Sequence, residues 1–98
     1  MAETDSTAKY RNDSQQTLMD VVEGLARLWP VPKSAQDIAQ AVGCSRDQAY
    51  RACVNLFDGG WAEQSPDGGW LISPKLAEIS NRMRMNLADL HRRYLEIN

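Results

Sequence analysis

The side chains best suited to chemistry lie between residues 33 and 51 and carry ammonium, hydroxyl, guanidinium and amide groups. They are Lys33, Ser34, Ser45, Arg46, Gln48, Tyr50 and Arg51. In the major groove of DNA, a guanidinium fork matches the guanine edge and a glutamine amide matches the adenine edge. Hydroxyls and backbone N–H groups at helix N-termini bind phosphate. These residue types, gathered in one short span, predict contacts to nucleic acid.

Three of these residues have specific expected roles. Arg46 and Gln48, at the start of a predicted helix, are candidates for base contacts, and Arg51 is the candidate for a phosphate contact. Two alternatives remain open: Gln48 completes a capping box with Ser45, or Arg51 forms an ion pair with Asp47, four residues before it. The remaining candidates are Lys33 at the rim of this face, Ser34 and Ser45 at helix N-termini, and Tyr50 pointing outward.

Catalytic and metal-binding patterns are not found in the sequence. It contains no nucleophile motif, P-loop or HExxH motif. The single histidine, His91, is expected to be a surface or interface residue. Cys44 and Cys53 are nine residues apart without a CxxC motif, so they are expected to be reduced and mostly buried. We therefore expect neither an enzyme nor a bound metal or cofactor.

The charge balance does not resemble that of a typical nucleic-acid-binding protein. The 98 residues include 11 Lys and Arg against 13 Asp and Glu, a net charge of -2. Residues 14–72 carry four basic and seven acidic groups, whereas residues 73–98 carry five basic and three acidic groups. Any attraction to phosphate must then come from a few well-placed residues. The polar start of the chain and the lack of a long apolar run predict a cytoplasmic protein with no membrane contact.

Three helices are predicted before residue 60. The first begins near Ser14 or Gln15, capped by Asp13 or Ser14, and ends before Pro30. Its apolar stripe comprises Leu18, Val21, Val22, Leu25, Leu28 and Trp29. The second runs from Ser34 to Gly43, and the third runs from a Ser45–Gln48 capping box to Gly59-Gly60. Residues 1–13 are expected to be a flexible tail, with Lys9 and Arg11 as a possible basic arm.

A β-hairpin is predicted next. Residues 61–64 alternate apolar and polar, residues 65–69 have turn chemistry, and residues 70–72 are apolar. Trp61 and Trp70 are expected to form a cross-strand pair on the core, or alternatively an exposed recognition patch. The turn contains no Lys or Arg, so we expect it to contact a phosphate backbone weakly, through its amides, or to serve a protein partner.

The last predicted helix begins near Pro74 and carries a long apolar stripe. The stripe comprises Leu76, Ile79, Met83, Leu87, Leu90, Tyr94 and Ile97. The spacing averages 3.5 residues, close to a coiled-coil seam, with one stutter where two steps of four follow each other. The first six residues of this stripe, from Leu76 to Tyr94, are therefore candidates for dimerisation. The alternative is that the helix folds back on its own domain.

The order of these elements predicts a mainly α fold with a small β-hairpin. Small or flexible residues, Ala39 and Gly43, permit two helices to cross at a tight turn, and a hairpin follows. This is a winged helix-turn-helix plus a long C-terminal helix. The expected organisation is a flexible tail over 1–13, a winged helix-turn-helix domain over 14–73, and a C-terminal dimerisation helix over 74–98.

Residues 15–80 resemble the DNA-binding domain of IclR-type transcription regulators. The similarity lies in Ser34-Ala35-Gln36-Asp37-Ile38-Ala39-Gln40-Ala41-Val42-Gly43-Cys44-Ser45, in Tyr50-Arg51, in residues 60–70 and in Ile72-Ser73-Pro74-Lys75-Leu76. The resemblance implies that the third helix enters the major groove and that the helix after the wing takes part in dimerisation. It also implies that Arg51 corresponds to an arginine of the family.

Two features depart from the family pattern. The chain ends at Asn98, so we expect no small-molecule effector domain. Asp47 stands where the family more often has a small hydroxyl residue; a carboxylate there repels phosphate but can accept a hydrogen bond from a cytosine amine. A domain of this kind without an effector domain resembles small regulators of phages and prophages.

Two functions are consistent with these features. The first is a sequence-specific transcriptional regulator that binds double-stranded DNA as a homodimer through a winged helix-turn-helix. The alternative is a winged-helix protein-interaction module that sequesters or inhibits a protein partner. A fold does not fix a function, so the same architecture suits both. The alternative is favoured by the acidic middle of the chain, by Asp47 and by the turn without basic residues.

Overall fold

The computed structural model describes residues 8–97 and confirms a mainly α fold with a small β-hairpin and a long C-terminal helix. The elements are α1 (Asp13–Leu28), α2 (Ala35–Val42), α3 (Arg46–Asp58), β1 (Ala62–Gln64), β2 (Trp70–Ile72) and α4 (Lys75–Ile97). The order is the one predicted, with three helices, a hairpin and a final helix.

The N-terminal part differs from the prediction at two points. Residues 1–7 of the predicted tail lie outside the described residues, and residues 8–10 are helical. Helix α1 begins at Asp13, because the side chain of Asn12 accepts a hydrogen bond from the backbone N–H of Gln15 at 3.1 Å. The predicted cap at Asp13 or Ser14 is therefore wrong by one or two residues. An arm role for Lys9 and Arg11 stays a prediction.

The turn between α2 and α3 has the geometry that its sequence predicts. Gly43 adopts φ +81°, and its N–H donates to the carbonyl of Ala39 at 2.9 Å. The N–H of Cys44 donates to the same carbonyl at 3.1 Å. These two bonds end α2, and a glycine is suited to this position because a left-handed residue without a Cβ avoids a steric penalty.

A close approach between α1 and α2 is not one that the sequence pattern indicated. Gly24 is buried in α1, and a Cβ built on it would lie 2.6 Å from Val42 Cγ1. The missing side chain lets the two helices approach each other. Around this contact lies a single core that includes Val21, Leu25, Ile38, Ala49, Cys53, Leu56, Trp70 and Ile72.

The hairpin is antiparallel and gains a third backbone partner from the loop before α2. Ala62 lies opposite Ile72, and Gln64 lies opposite Trp70. On its other edge, Trp70 exchanges two backbone hydrogen bonds with Lys33, at 2.8 and 2.9 Å. This bridge fastens the start of β2 to the chain between α1 and α2.

The predicted cross-strand pair of Trp61 and Trp70 is wrong, because the register places Gln64 opposite Trp70. Trp70 is 5% exposed and packs edge-on against two aromatic rings of α3. Trp61 is half-buried, with Lys75 Nζ 5.5 Å from its ring centre. The two tryptophans join the hairpin to different helices, so they do not form the exposed recognition patch either.

Helix α4 leaves the body of the molecule after its first turns. Leu76 packs against the core and Ile79 is half-buried. From Ser80 to Glu96 every residue is exposed except the half-buried Asp89. Within the described residues the helix therefore does not fold back on its own domain, and most of its apolar stripe faces outward.

Candidate nucleic-acid interface

Helix α3 presents its N-terminal turn to the outside. Its buried side comprises Ala49, Ala52, Cys53 and Leu56. Arg46, the first residue of the helix, is exposed and makes no ion pair or side-chain hydrogen bond with other residues of the range 8–97. Its guanidinium group is therefore available to an external acceptor without breaking an internal contact.

The side chain of Gln48 closes the capping box of α3. Its Oε1 accepts from the backbone N–H of Ser45 at 2.9 Å, while Ser45 Oγ accepts from the Gln48 N–H at 3.1 Å. A paired contact to adenine needs both the amide oxygen and the amide nitrogen of a glutamine. Gln48 would have to open the box to make that contact, so its structural role in this conformation is the cap.

Arg51 forms the ion pair that the sequence left as an alternative. Its Nε lies 3.0 Å from Asp47 Oδ2, and the two side chains are 76% and 69% exposed. Pairs this exposed are worth about 0–1 kcal/mol because water screens them. A phosphate group can therefore replace Asp47 as the partner of Arg51 at little cost.

The remaining candidates surround the same turn of α3. Ser34 Oγ accepts from the N–H of Asp37 at 3.1 Å, and the Ser34 and Ser45 hydroxyls retain their O–H groups for donation to an external oxygen. Lys33 is half-buried at the bridge to Trp70. Tyr50 is 49% exposed, and its ring centre lies 6.3 Å from that of Trp70.

The turn of the hairpin, residues 65–69, is held by hydrogen bonds among its own residues. The Ser65 hydroxyl donates to Asp67 Oδ1, and the N–H of Gly69 donates to Ser65 Oγ at 3.0 Å. The Ser65 hydroxyl and the Gly69 N–H lower the pKa of the Asp67 carboxyl from its ordinary value. The carboxylate at the tip would repel a phosphate group, and the weak contact of this turn with phosphate stays a prediction.

An exposed apolar stripe on α3 was missed by the sequence analysis. Tyr50, Val54 and Phe57 are 49%, 40% and 52% exposed, and we call these three residues the outer stripe. The ring of Phe57 also packs edge-on against Trp70, with 6.1 Å between centres. Their spacing of four and three residues indicates a common helix face. The apolar residues on the buried side of α3 form a stronger stripe, and that stripe alone was assigned from the sequence.

The charges of α3 cancel. Arg46 and Arg51 are basic, and Asp47 and Asp58 are acidic. The side chains of the helix therefore contribute no net charge, and any attraction to DNA depends on where the two arginines are placed.

The six predicted dimerisation residues fall into two groups. Leu76 and Ile79 lie near the body, as described above. The others are largely exposed: Met83 is 67%, Leu87 65%, Leu90 48% and Tyr94 64% exposed. This second group places exposed apolar side chains along the outer part of α4.

Comparison with protein-family models, with curated proteins and with solved structures found no match to this chain. Among residues 8–97, no group of three or more His, Cys, Asp and Glu side chains is placed to hold a metal ion. In the same range, no helix combines the length and the apolar character needed to cross a membrane.

Proposed function

We propose that this protein is a cytoplasmic transcriptional regulator that binds specific DNA sequences as a homodimer. The observation that carries the proposal is the exposed first turn of α3. It holds Arg46 without an internal partner, at the start of a capped helix that follows a tight turn. We propose likewise that residues 15–80, which resemble IclR-type DNA-binding domains in the motifs quoted above, share the mode of DNA binding of that family.

In this proposal, the N-terminal turn of α3 enters the major groove. Arg46 donates two hydrogen bonds to a guanine edge. Arg51 exchanges Asp47 for a backbone phosphate, and the released carboxylate accepts from a cytosine amine. The two copies pair through α4, so their α3 helices contact successive major grooves of a palindromic site.

The test is fluorescence anisotropy with a labelled random-sequence duplex at low salt, repeated as salt is raised. The parent is compared with Arg46→Ala, Arg51→Ala and the matched control Arg27→Ala. Arg27 lies in the last turn of α1, so its replacement by alanine removes the same charge at a site outside α3. We expect both α3 variants to weaken binding at least tenfold and the control to bind within twofold of the parent.

Equal loss in all three variants would assign the effect to net charge and contradict the proposed face. No binding at micromolar protein and low salt would contradict the function itself, because non-specific attraction to phosphate is the minimum that a DNA-binding protein shows.

The outer stripe favours a second candidate function, a protein-interaction module that sequesters or inhibits a partner. Three exposed apolar side chains on a helix with no net charge suit a protein surface better than a phosphate-lined groove. If DNA binding is absent, full-length parent and Val54→Asp baits are compared in affinity capture. A partner retained by the parent and lost with the variant supports this function, and a partner retained by both contradicts the role of the outer stripe.

A further inference from the structure

An apolar groove lies at the base of α4, where this helix leaves the body. It has a volume of about 650 Å³, and its lining includes Ala26 from α1, Trp29 directly after α1, Leu71 from β2, and Leu76 and Ala77 from α4. Trp29 is 58% exposed. The groove therefore presents an aromatic ring and several aliphatic groups to the outside.

The groove continues along α4. Beyond it, Met83, Leu87 and Leu90 line an open surface of the helix, and Ser80 borders both this surface and the groove. Apolar side chains therefore run from the groove along one side of α4 to its outer half. We call the groove and this exposed surface together the α4 channel.

The spacing of the apolar residues keeps the α4 channel straight. Leu76 and Leu87, Ile79 and Leu90, and Met83 and Tyr94 are pairs separated by eleven residues. Eleven residues complete about three turns of an α-helix, so the stripe drifts only ~20° over that length. A second straight helix can therefore lie along the whole channel.

We propose that the α4 channel is filled by α4 of a second copy of this chain, running antiparallel. The apolar tip of the second helix, at Leu90 and Tyr94, then reaches the groove at the base of the first. The inference rests on the proposed homodimer and adds its orientation and the role of the groove. A parallel pair would bring the two tips together and leave both grooves unfilled.

The charges favour the antiparallel arrangement. Glu63 lines the groove and makes no ion pair or side-chain hydrogen bond with other described residues. Arg92, near the tip of α4, likewise has no ion pair in the described range. Antiparallel pairing brings the basic tip of the second α4 towards the end of the channel that Glu63 lines. Arg92 stands on the face of α4 opposite Leu90 and Tyr94, so it acts through the charge of the tip and not through a contact with Glu63. The basic segment 73–98 also comes to lie over the acidic body of the other copy.

The test measures distances between spin labels in the full-length protein, with Cys44 and Cys53 replaced by alanine. One label is placed by Met85→Cys near the middle of α4, and the other by Leu95→Cys near its tip. In an antiparallel pair the two middle labels are separated only by the width of the helix pair, while the two tip labels are separated by about 30 Å along the helix axis in addition. In a parallel pair both distances are short.

The three outcomes are distinct. A short middle distance with a long tip distance supports the antiparallel pair. Two short distances would overturn it and leave the homodimer intact. No distance between copies at either site would overturn the homodimer and, with it, the antiparallel pair.

A second pair of variants tests the groove. Ala77→Phe fills it, whereas Ala88→Phe adds the same bulk eleven residues later on α4. We expect Ala77→Phe to raise the dimer dissociation constant at least tenfold and Ala88→Phe to leave it within threefold, measured by sedimentation. Equal constants for the two variants would show that the groove is empty in the dimer and contradict the proposal.

Discussion

Gly24 determines how closely α1 and α2 pack. Its replacement by alanine would normally favour a helix, but here the added Cβ would meet Val42 at 2.6 Å. We expect Gly24→Ala to lower the free energy of unfolding by about 1–3 kcal/mol, since buried overpacking forces neighbours apart. Urea denaturation measures this change.

The matched control is Gly59→Ala. At Gly59, φ is -83° and the nearest atom to an added Cβ is 3.4 Å away, an ordinary contact. If Gly59→Ala lowers the free energy of unfolding as much as Gly24→Ala does, the cause is the loss of glycine's chain flexibility and not the contact between the helices.

The hydroxyl of Ser45 stabilises the first turn of α3. Ser45→Ala removes the bond to the N–H of Gln48 and should lower the free energy of unfolding by about 1 kcal/mol. Ser14→Ala is the control, because Ser14 lies in the first turn of α1 and makes no hydrogen bond through its side chain in the described structure. Thermal or urea unfolding of both variants tests the difference, and equal losses would contradict the capping role.

The two cysteines should differ in reactivity. Burial, and then the neighbouring Cys44, raise the pKa of the Cys53 thiol to about 11. The stabilisation from the neutral Cys53 thiol is complete below the ordinary thiol pKa and is lost as pH rises towards 11. At pH 8, a thiol reagent should modify half-buried Cys44 first and reach Cys53 only on unfolding. Rapid modification of both sites would contradict this assignment.

At the scale of elements, α4 carries its apolar side chains on more than one face. Met83 and Leu90 belong to the predicted seam, whereas Met85 and Leu95 lie off it with similar exposure, 64% and 63%. We expect Met83→Glu with Leu90→Glu to convert dimers to monomers in light scattering, because the seam would bury unpaired charge.

The double variant Met85→Glu with Leu95→Glu is the control and should remain dimeric. Monomers from both double variants would show that total hydrophobicity, and not the seam, drives association.

Most element boundaries were predictable because local chemistry sets them. The ends of α2 and the start of α3 are set by Ser34, Gly43 and Ser45, which form hydrogen bonds to residues within one helical turn. The start of α1 was not predictable, since Asn12, Asp13 and Ser14 are all good caps and compete over three adjacent positions. The pairing of hairpin residues depends on how the turn closes, so the partner of Trp70 could not be inferred from alternation alone.

The candidate site was predictable in its residues but not in their partners. Residue type placed Arg46 and Arg51 on the outer side of α3, and the structure agrees. Whether Gln48 caps the helix and whether Arg51 meets Asp47 depend on side-chain geometry, so the sequence left both open. The outer stripe was missed because an exposed apolar residue is common on any protein surface.

At the scale of the whole molecule, few positive charges are available to DNA. The proposed face offers Lys33, Arg46 and Arg51 in each copy, within a chain of net charge -2. On a random-sequence duplex, where Arg46 has no specific guanine, each of these six side chains of a dimer can neutralise one phosphate. The logarithm of the binding constant then falls with the logarithm of salt concentration with a slope of about -5.

The anisotropy titration gives this slope, and Lys33→Ala should make it shallower by about 2 for the dimer. A slope near -10 would require more contacts than this face provides and would assign part of the interface to the arginines of α4.

The bridge between Lys33 and Trp70 couples the hairpin to the rest of the fold. A hairpin of two three-residue strands is at best marginally stable by itself. Here its edge is bonded to a residue 37 positions earlier in the chain, and its tryptophan lies in the core. The hairpin therefore cannot open while the helices stay closed. In deuterated solvent, the amide hydrogens of Lys33 and Trp70 should exchange together, at the slow rate set by cooperative unfolding of the entire domain.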